Sequence, residues 1–243
     1  MTSRTKDKIP IVELFGPTIQ GEGALCGQVS YFLRTGGCSW SCTWCDSMHA
    51  VDPKEVRKRA ENLSAVEIID RIGRLAPSTR KQAWVTLTGG DPVLWDMEKV
   101  VLGLRLSGFR VAVETQGFLW KDWLEHCDLV TASPKPPSSG MADRFRIDRL
   151  QKYAVRMGDR IVMKIVCFDD VDLDWAAKLH ERFPKIRFYL SSGTPVDDAD
   201  PTAAILGGYR RLTEAVLGRS MLHDATVLPQ VHALLWPGVK MGR

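Results

Sequence analysis

The chain has little of what would announce a special structural class. Its 243 residues include six cysteines and only 8% aromatic residues. Six thiols in a chain of this length are far below the density of a disulfide scaffold. No run approaches the ~18 consecutive apolar residues of a transmembrane helix. Lys+Arg 33 against Asp+Glu 29 leaves a net charge of +4, too mild a balance to mark a nucleic-acid or membrane-surface protein. Internal repeats and low-complexity tracts are absent. The opening MTSRTKDKIPIVELF lacks the apolar centre and small-residue cleavage site of a secretory signal. A cytoplasmic protein without membrane or nucleic-acid partners is therefore expected.

What remains is 44% hydrophobic and 26% charged, an ordinary globular composition. A chain this long buries roughly 70–75% of its unfolded surface, so a core forms without staples. The cysteines are unevenly placed, however. Cys38, Cys42 and Cys45 lie within eight residues, whereas Cys26, Cys127 and Cys167 are scattered and read as buried or incidental thiols.

Short β-branched runs alternate with amphipathic stretches. Strands are expected at Ile9–Phe15, Ser30–Arg34, Ala83–Thr88, Arg110–Glu114, Leu129–Ala132, Ile161–Phe168 and Arg187–Leu190, with a weaker one at Ala225–Leu228. Ser64 followed by Glu67 forms a capping-box signature, and Val66, Ile69, Ile72 and Leu75 repeat at helical spacing. Further helices are expected at Met97–Leu106, Trp120–His126, Asp148–Val155, Leu173–Phe183 and Thr202–Leu217, punctuated by Pro77, Gly108, Pro184 and Pro195. Alternating β and α elements imply a parallel sheet with helical crossovers. Six strands between about residues 30 and 190 are too few for a closed eight-stranded barrel. The expectation is an α/β fold, a partial (β/α)6 barrel, with residues 1–243 forming one domain. Residues 15–23 would form an N-terminal loop and residues 225–236 a C-terminal segment.

Ligands in such folds sit at the carboxyl ends of the strands. Four successive strand ends here run into TGGCSWSCTWCDS, GGDP, TQG and SPK. Cys38-x3-Cys42-x2-Cys45 directly follows a strand. Three thiolates in one loop can hold three corners of an iron–sulfur centre, which normally takes four cysteines. One iron would then be open to a chelating ligand. A zinc site completed by His49, or three unrelated reduced thiols, are the other readings of the spacing.

The cysteine loop followed by TGGDP resembles the radical S-adenosylmethionine (SAM) superfamily. Phe15–Gly23 (FGPTIQGEG), Phe32–Cys38 (FLRTGGC), Cys42–Ser47, Thr86–Pro92, Val113–Gly117 (VETQG), Ser133–Ser139 (SPKPPSS), Met163–Val166 and Leu228–Trp236 (LPQVHALLW) narrow the resemblance to the 7-carboxy-7-deazaguanine synthase family, from about Ile9 to Trp236. The resemblance implies a 4Fe–4S cluster on Cys38, Cys42 and Cys45, SAM bound to the open iron, and Mg2+. It also implies conversion of 6-carboxy-5,6,7,8-tetrahydropterin to 7-carboxy-7-deazaguanine with loss of ammonia, through a 5′-deoxyadenosyl radical that takes hydrogen from C6. A homodimer and an electron donor such as flavodoxin are further implications.

Residue by residue, the resemblance places Ile19, Gln20, Gly21, Glu22, Arg34, Thr88 and His232 around the pterin. Trp44, Asp46, Gly90, Glu114, Gln116, Ser133, Pro134 and Lys135 would meet SAM, and Ser47 would reach the magnesium. Each assignment suits the chemistry. Guanidinium forks match carboxylates, an amide and a carboxylate match a pterin edge, and magnesium prefers oxygen. The family often carries threonine where Ser47 stands, glutamate where Asp91 stands and asparagine where Gln116 stands. Trp40 and Trp44 would shield the cluster, while Trp95, Trp120, Trp123 and Trp175 read as core or interface. Lys164 has no assigned role. Two other functions are compatible with parts of the pattern. One is a glycyl-radical-activating enzyme with a protein substrate. The other is a non-enzymatic zinc-binding module.

Overall fold

The computed structural model describes residues 8–76, 83–194, 200–239 and 241–242. Pro77 and Pro195, expected as helix punctuation, lie outside the described residues. Among the described residues nine strands form one sheet: β1 Ile9–Ile19, β2 Val29–Thr35, β3 Glu61–Leu63, β4 Trp84–Gly89, β5 Arg110–Thr115, β6 Leu129–Ala132, β7 Ile161–Cys167, β8 Arg187–Ser192 and β9 Thr226–Leu228. The helices are α1 Met48–Val51, α2 Pro53–Arg59, α3 Ala65–Leu75, α4 Glu98–Leu106, α5 Ile147–Met157, α6 Asp170–Arg182, α7 Pro201–Leu217 and α8 Val231–Leu235.

The strand order is β3-β1-β2-β4-β5-β6-β7-β8-β9. Every neighbouring pair from β2 onward is parallel, whereas β1 runs antiparallel to both β2 and β3. The ends of the order, β3 and β9, do not pair with each other, so the sheet is a partial barrel. Its six central parallel strands, β2 and β4 to β8, are those expected from the alternation, and β9 adds a seventh. Among the described residues no helix is long and apolar enough to cross a membrane.

The strands divide their side chains by parity. Val85 and Leu87, Val111 and Val113, Val130 and Ala132, and Met163 and Ile165 point outward. There they pack beneath the helices with Ile68, Ile72, Val100, Leu104, Leu150 and Tyr153. The opposite face carries Trp84, Ala112, Leu129 and Val162, which close the bottom of the barrel together with Ala24 and Leu25. One or two steps further along the same face stand Arg34 opposite Thr88, Glu114 opposite Thr131, and Lys164 opposite Tyr189. The interior is therefore apolar at its base and polar at the carboxyl end.

Several local expectations need correction. Residues 15–19, expected to begin a loop, continue β1 across a bulge and pair with β2. Ser64 does cap α3 with a full capping box, but Val66 is 76% exposed. The helix buries Ile72 of that stripe together with Ile68, which the stripe left out. Its packing is close: a Cβ on Gly103 of α4 would come within 2.3 Å of Ile69 Cδ1. Residues 122–126 form a 3-10 turn rather than an α-helix. The strand β3 had no sequence signal because Glu61-Asn62-Leu63 is mostly polar; it forms as an edge on β1.

Candidate active site

The carboxyl ends of β2, β4, β5, β6 and β7 open into a cavity of about 210 Å³. Cys38, Cys42 and Cys45 line one part of its wall, and Gln20, Glu22, Arg34, Lys164, Gln230 and His232 line another. Ile19, Gly21, Trp44, Asp46, Ser47, Thr88, Gly90, Glu114, Gln116, Ser133 and Lys135 are also on the wall. Pro134 is buried behind the lining and does not reach it.

The cysteine loop is held by backbone before any cofactor is considered. The N–H of Gly90 donates to Thr35 O at 3.1 Å, Asp91 N–H donates to Gly37 O at 2.8 Å, and Gly37 N–H donates to Ala50 O at 2.8 Å. This clasp explains the two glycines of the TGGDP turn. A Cβ on Gly89 would sit 2.2 Å from Thr35 O, and one on Gly90 would sit 2.0 Å from Gly37 O. Gly89 also has φ +135°, which side chains other than glycine's rarely tolerate. Trp95 Nε1 donates to Gly36 O at 2.9 Å. On the far side, the hydroxyl of Thr43 donates to Ser138 O at 2.8 Å, and Trp44 Nε1 donates to Ser138 Oγ at 2.9 Å. Ser138 is itself fixed by Asp172, a fully buried carboxylate of α6 that accepts its N–H at 2.9 Å and its hydroxyl at 2.6 Å. Trp44 packs on Phe168, with ring centroids 5.1 Å apart.

All three thiols are free. Burial pushes the Cys38 thiol up to about 11 against the stabilising N–H of Trp40, and it raises Cys42 and Cys45 as well. Gln116 Nε2 donates to Cys38 Sγ at 2.7 Å. Among the described residues no three His, Cys, Asp or Glu side chains are placed to share one metal ion. His49, the fourth ligand in the alternative zinc reading, is hydrogen-bonded to Glu13 at 3.2 Å. This donor set suits a cluster in which each thiolate takes a separate iron. Trp40, on the same wall, keeps its indole N–H buried and, among the described residues, without a hydrogen-bond partner.

Asp91 is not on the wall. It is fully buried under the turn, its Oδ1 accepts the N–H of Val93 at 3.1 Å, and the Thr115 hydroxyl and Gln116 N–H lie close enough to help hold the carboxyl down. Burial raises its carboxyl to about 6, partly opposed by the Val93 N–H. The shorter carboxylate thus caps a 3-10 turn rather than facing the cavity.

The opposite wall is a polar network. Glu114 accepts Gln20 Nε2 at 3.1 Å and the Thr88 hydroxyl at 2.9 Å. Lys135 Nζ donates to Ser133 Oγ at 3.1 Å. Arg34 Nε pairs with Glu13 at 2.6 Å, and Nη1 donates to Ser47 Oγ at 3.1 Å. Burial alone would raise the Glu13 carboxyl; the His49 hydrogen bond and the Arg34 charge outweigh it and hold the group low. Glu22 forms an ion pair with Lys164 and accepts Gln230 Nε2 at 2.6 Å. Burial alone would raise Glu22 too, but the charges of Lys164 and His232 bring it down to about 2. The C-terminal segment closes over this wall through Val231 N–H, which donates to Gly21 O at 3.0 Å.

Glu13, Thr194 and Asp172 carried no expectation from sequence. Glu13 and Thr194 work through partners far away in the chain, and Asp172 sits in an acidic helix start that looks like ordinary dipole complementation.

The Radical SAM superfamily model matches residues 32–131. A 7-carboxy-7-deazaguanine synthase of Bacillus cereus is 43% identical over 242 residues, covering 97% of this chain and 99% of the relative. One from Bacillus subtilis is 39% identical, covering 96% and 98%. Among solved structures, QueE from Escherichia coli superposes with a TM-score of 0.65 at 22% identity, covering 90% of this chain and 92% of that one. Near-complete coverage at this identity places the chain in the 7-carboxy-7-deazaguanine synthase family of radical SAM enzymes.

Proposed function

We infer that the protein converts 6-carboxy-5,6,7,8-tetrahydropterin to 7-carboxy-7-deazaguanine and ammonia. The observation that carries this reading is one cavity with three free thiols on one wall and an Arg, Glu, Gln and His array on the other. Near-full-length identity to relatives of that name supports it. The conversion balances as loss of ammonia alone, with no net oxidation. A hydrogen-atom carrier that is regenerated each turnover therefore suffices.

Cys38, Cys42 and Cys45 would hold the 4Fe–4S cluster. When bound, cluster and SAM supply a 5′-deoxyadenosyl radical as the hydrogen-abstracting agent. The remaining work belongs to the protein's own groups. Gln116, bonded to Cys38, and Lys135, 5.8 Å from the Trp44 ring, stand beside the cysteine loop, and with Glu114 and Ser133 on the same cavity they suit the hydroxyls and carboxylate of SAM. The backbone of the Gly90 turn suits its ammonium. Arg34 keeps part of its guanidinium for a substrate carboxylate while Glu13 fixes its orientation. Gln20, Glu22 and His232 would fix the pterin edge, and Phe15 stacked on Phe32 at 5.2 Å gives the pocket an apolar side. Asp46 and Ser47, whose Oγ donates to Asp46 Oδ1 at 3.0 Å, offer two oxygens for Mg2+, a donor set that suits an ion also held by substrate. A homodimer, a flavodoxin-type reductant and a cytoplasmic setting complete the proposal on family grounds. A glycyl-radical-activating role is disfavoured because the array on the substrate wall is built for a small polar molecule. The test is anaerobic turnover of the carboxytetrahydropterin by reconstituted enzyme. Formation of 7-carboxy-7-deazaguanine is expected; SAM cleavage without that product would refute the reading.

A further inference from the structure

Lys164 is the least expected group in the cavity. It lies midway along β7, a strand buried from end to end, and is itself only 8% exposed. Its neighbours on the inward face, Val162 and Val166, are apolar. A buried cation there is costly unless it is paired and hydrogen-bonded. Its partner is the Glu22 carboxylate, which reaches it from the loop after β1. The other oxygen of Glu22 accepts Gln230 Nε2 at 2.6 Å, and Gln230 in turn accepts the hydroxyl of Thr194. Two segments distant in sequence, carrying Lys164 and Gln230, thus converge on the Glu22 carboxylate at the cavity wall.

Two other uses of this lysine fit less well. A general base must give up its proton, but burial, which would favour loss, is outweighed by Glu22 and Glu114, so Lys164 stays a cation. A direct clamp on the substrate carboxylate is the role given to Arg34, whereas the charge of Lys164 is already matched by Glu22, which takes one of its three N–H donors. The geometry leaves a third use. An ionised carboxylate offers about four lone-pair sites over its two oxygens. Lys164 and Gln230 occupy one on each oxygen, so one on each remains.

Resting on the functional reading above, we propose that Lys164 is a positioning residue. Together with Gln230 it locks the Glu22 carboxylate so that its two remaining lone pairs form a fork facing the cavity. Such a fork accepts two parallel N–H donors, as the amino-pyrimidinone edge of a pterin presents. It disfavours a ring whose corresponding edge carries an acceptor.

The test uses reconstituted holoenzyme with the carboxytetrahydropterin. Lys164→Met raises KM for the pterin roughly 10–100-fold while kcat falls less than about threefold, because orientation of a charge-assisted contact is lost and not a group acting on the reacting bond. Lys164→Arg, which restores a cation, returns KM to within about threefold of wild type. In a Glu22→Gln background, Lys164→Met adds less than about twofold, since the two residues act as one unit. Additive losses in the double variant, failure of arginine to rescue, or a collapse of kcat at unchanged KM would each overturn the role. Where the methionine variant fails to fold, Lys164→Gln carries the same comparison: an intermediate KM is expected, and an unchanged KM would count against the proposal. A wild-type enzyme that does not turn over the pterin would overturn the functional reading itself. A competent wild type whose variants break this pattern would overturn the role of Lys164 alone.

Discussion

Asp172→Ala gives the sharpest view of how the site is held, because Asp172 touches neither cysteine nor cavity. Its carboxylate accepts the N–H of Ser138 at 2.9 Å, the hydroxyl of Ser138 at 2.6 Å and the N–H of Phe168 at 2.9 Å. Hydrogen bonds to a charged group contribute ~1.5–3 kcal/mol each, so three set a ceiling of ~5–9 kcal/mol. Removing a fully buried carboxylate also relieves its desolvation, and contributions within one network do not add. The net loss expected is ~3–4 kcal/mol, the range of a broken buried network. For a domain of this size that lowers Tm by roughly 6–16 °C. The effect should travel further, because Ser138 receives Thr43 and Trp44 of the cysteine loop. The variant should therefore lose cluster on gel filtration more readily than wild type at a temperature where both are folded. Thermal melting of the apoprotein measures the first effect, and iron content with visible absorbance measures the second. A stability loss under about 1 kcal/mol, typical of a surface substitution, would refute the reasoning. So would full destabilisation with cluster retention unchanged.

Two further perturbations follow from the same geometry. Asp91→Asn keeps the cap on Val93, since asparagine and aspartate cap equally well, and removes a buried charge. A carboxyl raised from 3.8 to about 6 by burial costs stability as pH rises from about 4 through 6, with a ceiling of ~3 kcal/mol above that range. The variant should therefore be more stable than wild type by about 1–3 kcal/mol at pH 7.5, with the gain vanishing near pH 4 in urea melts; a gain that grows toward low pH would contradict the assignment. Gly21→Ala would place a Cβ 2.3 Å from His232 Nδ1 and 2.6 Å from its backbone N. Because backbone cannot yield as a side-chain tip can, the C-terminal segment must move, and pterin KM should rise by about tenfold or more. Unchanged KM would show that this segment does not border the substrate.

Much of the architecture was legible because local chemistry and global packing agree. The alternation in Trp84–Gly89 and Arg110–Thr115 marks strands with one face for helices and one for the interior, and the glycine turns mark their carboxyl ends. Ser64 and Glu67 announced α3. The cysteine spacing marked one wall, while the other was legible only through the family resemblance, since QGEG by itself suits a surface turn equally well. What escaped depended on partners remote in sequence. Glu22 meets Lys164 across 142 residues and Gln230 across 208, and no local pattern in Met163–Val166 says which carboxylate a strand lysine will find. The spacing of Val66, Ile69, Ile72 and Leu75 marks a helix but not which edge of its apolar stripe is covered; the capped helix turns its Ile68–Ile72 edge to the sheet. Residues 15–19 looked like loop because Gly16 and Pro17 interrupt the run, yet the strand resumes beyond the bulge. Asp91 occupies a motif position but faces the protein interior, since the turn above it is pinned by Gly37 O.

The most direct test of the central claim is single-turnover chemistry in the anaerobically reconstituted enzyme, with SAM and 6-carboxy-5,6,7,8-tetrahydropterin carrying deuterium at C6. The account predicts 7-carboxy-7-deazaguanine, stoichiometric ammonia and deuterium appearing in SAM, all lost when Cys38, Cys42 or Cys45 is replaced by alanine. Product formation in those variants, or 5′-deoxyadenosine without deazaguanine and without deuterium in SAM, would contradict it.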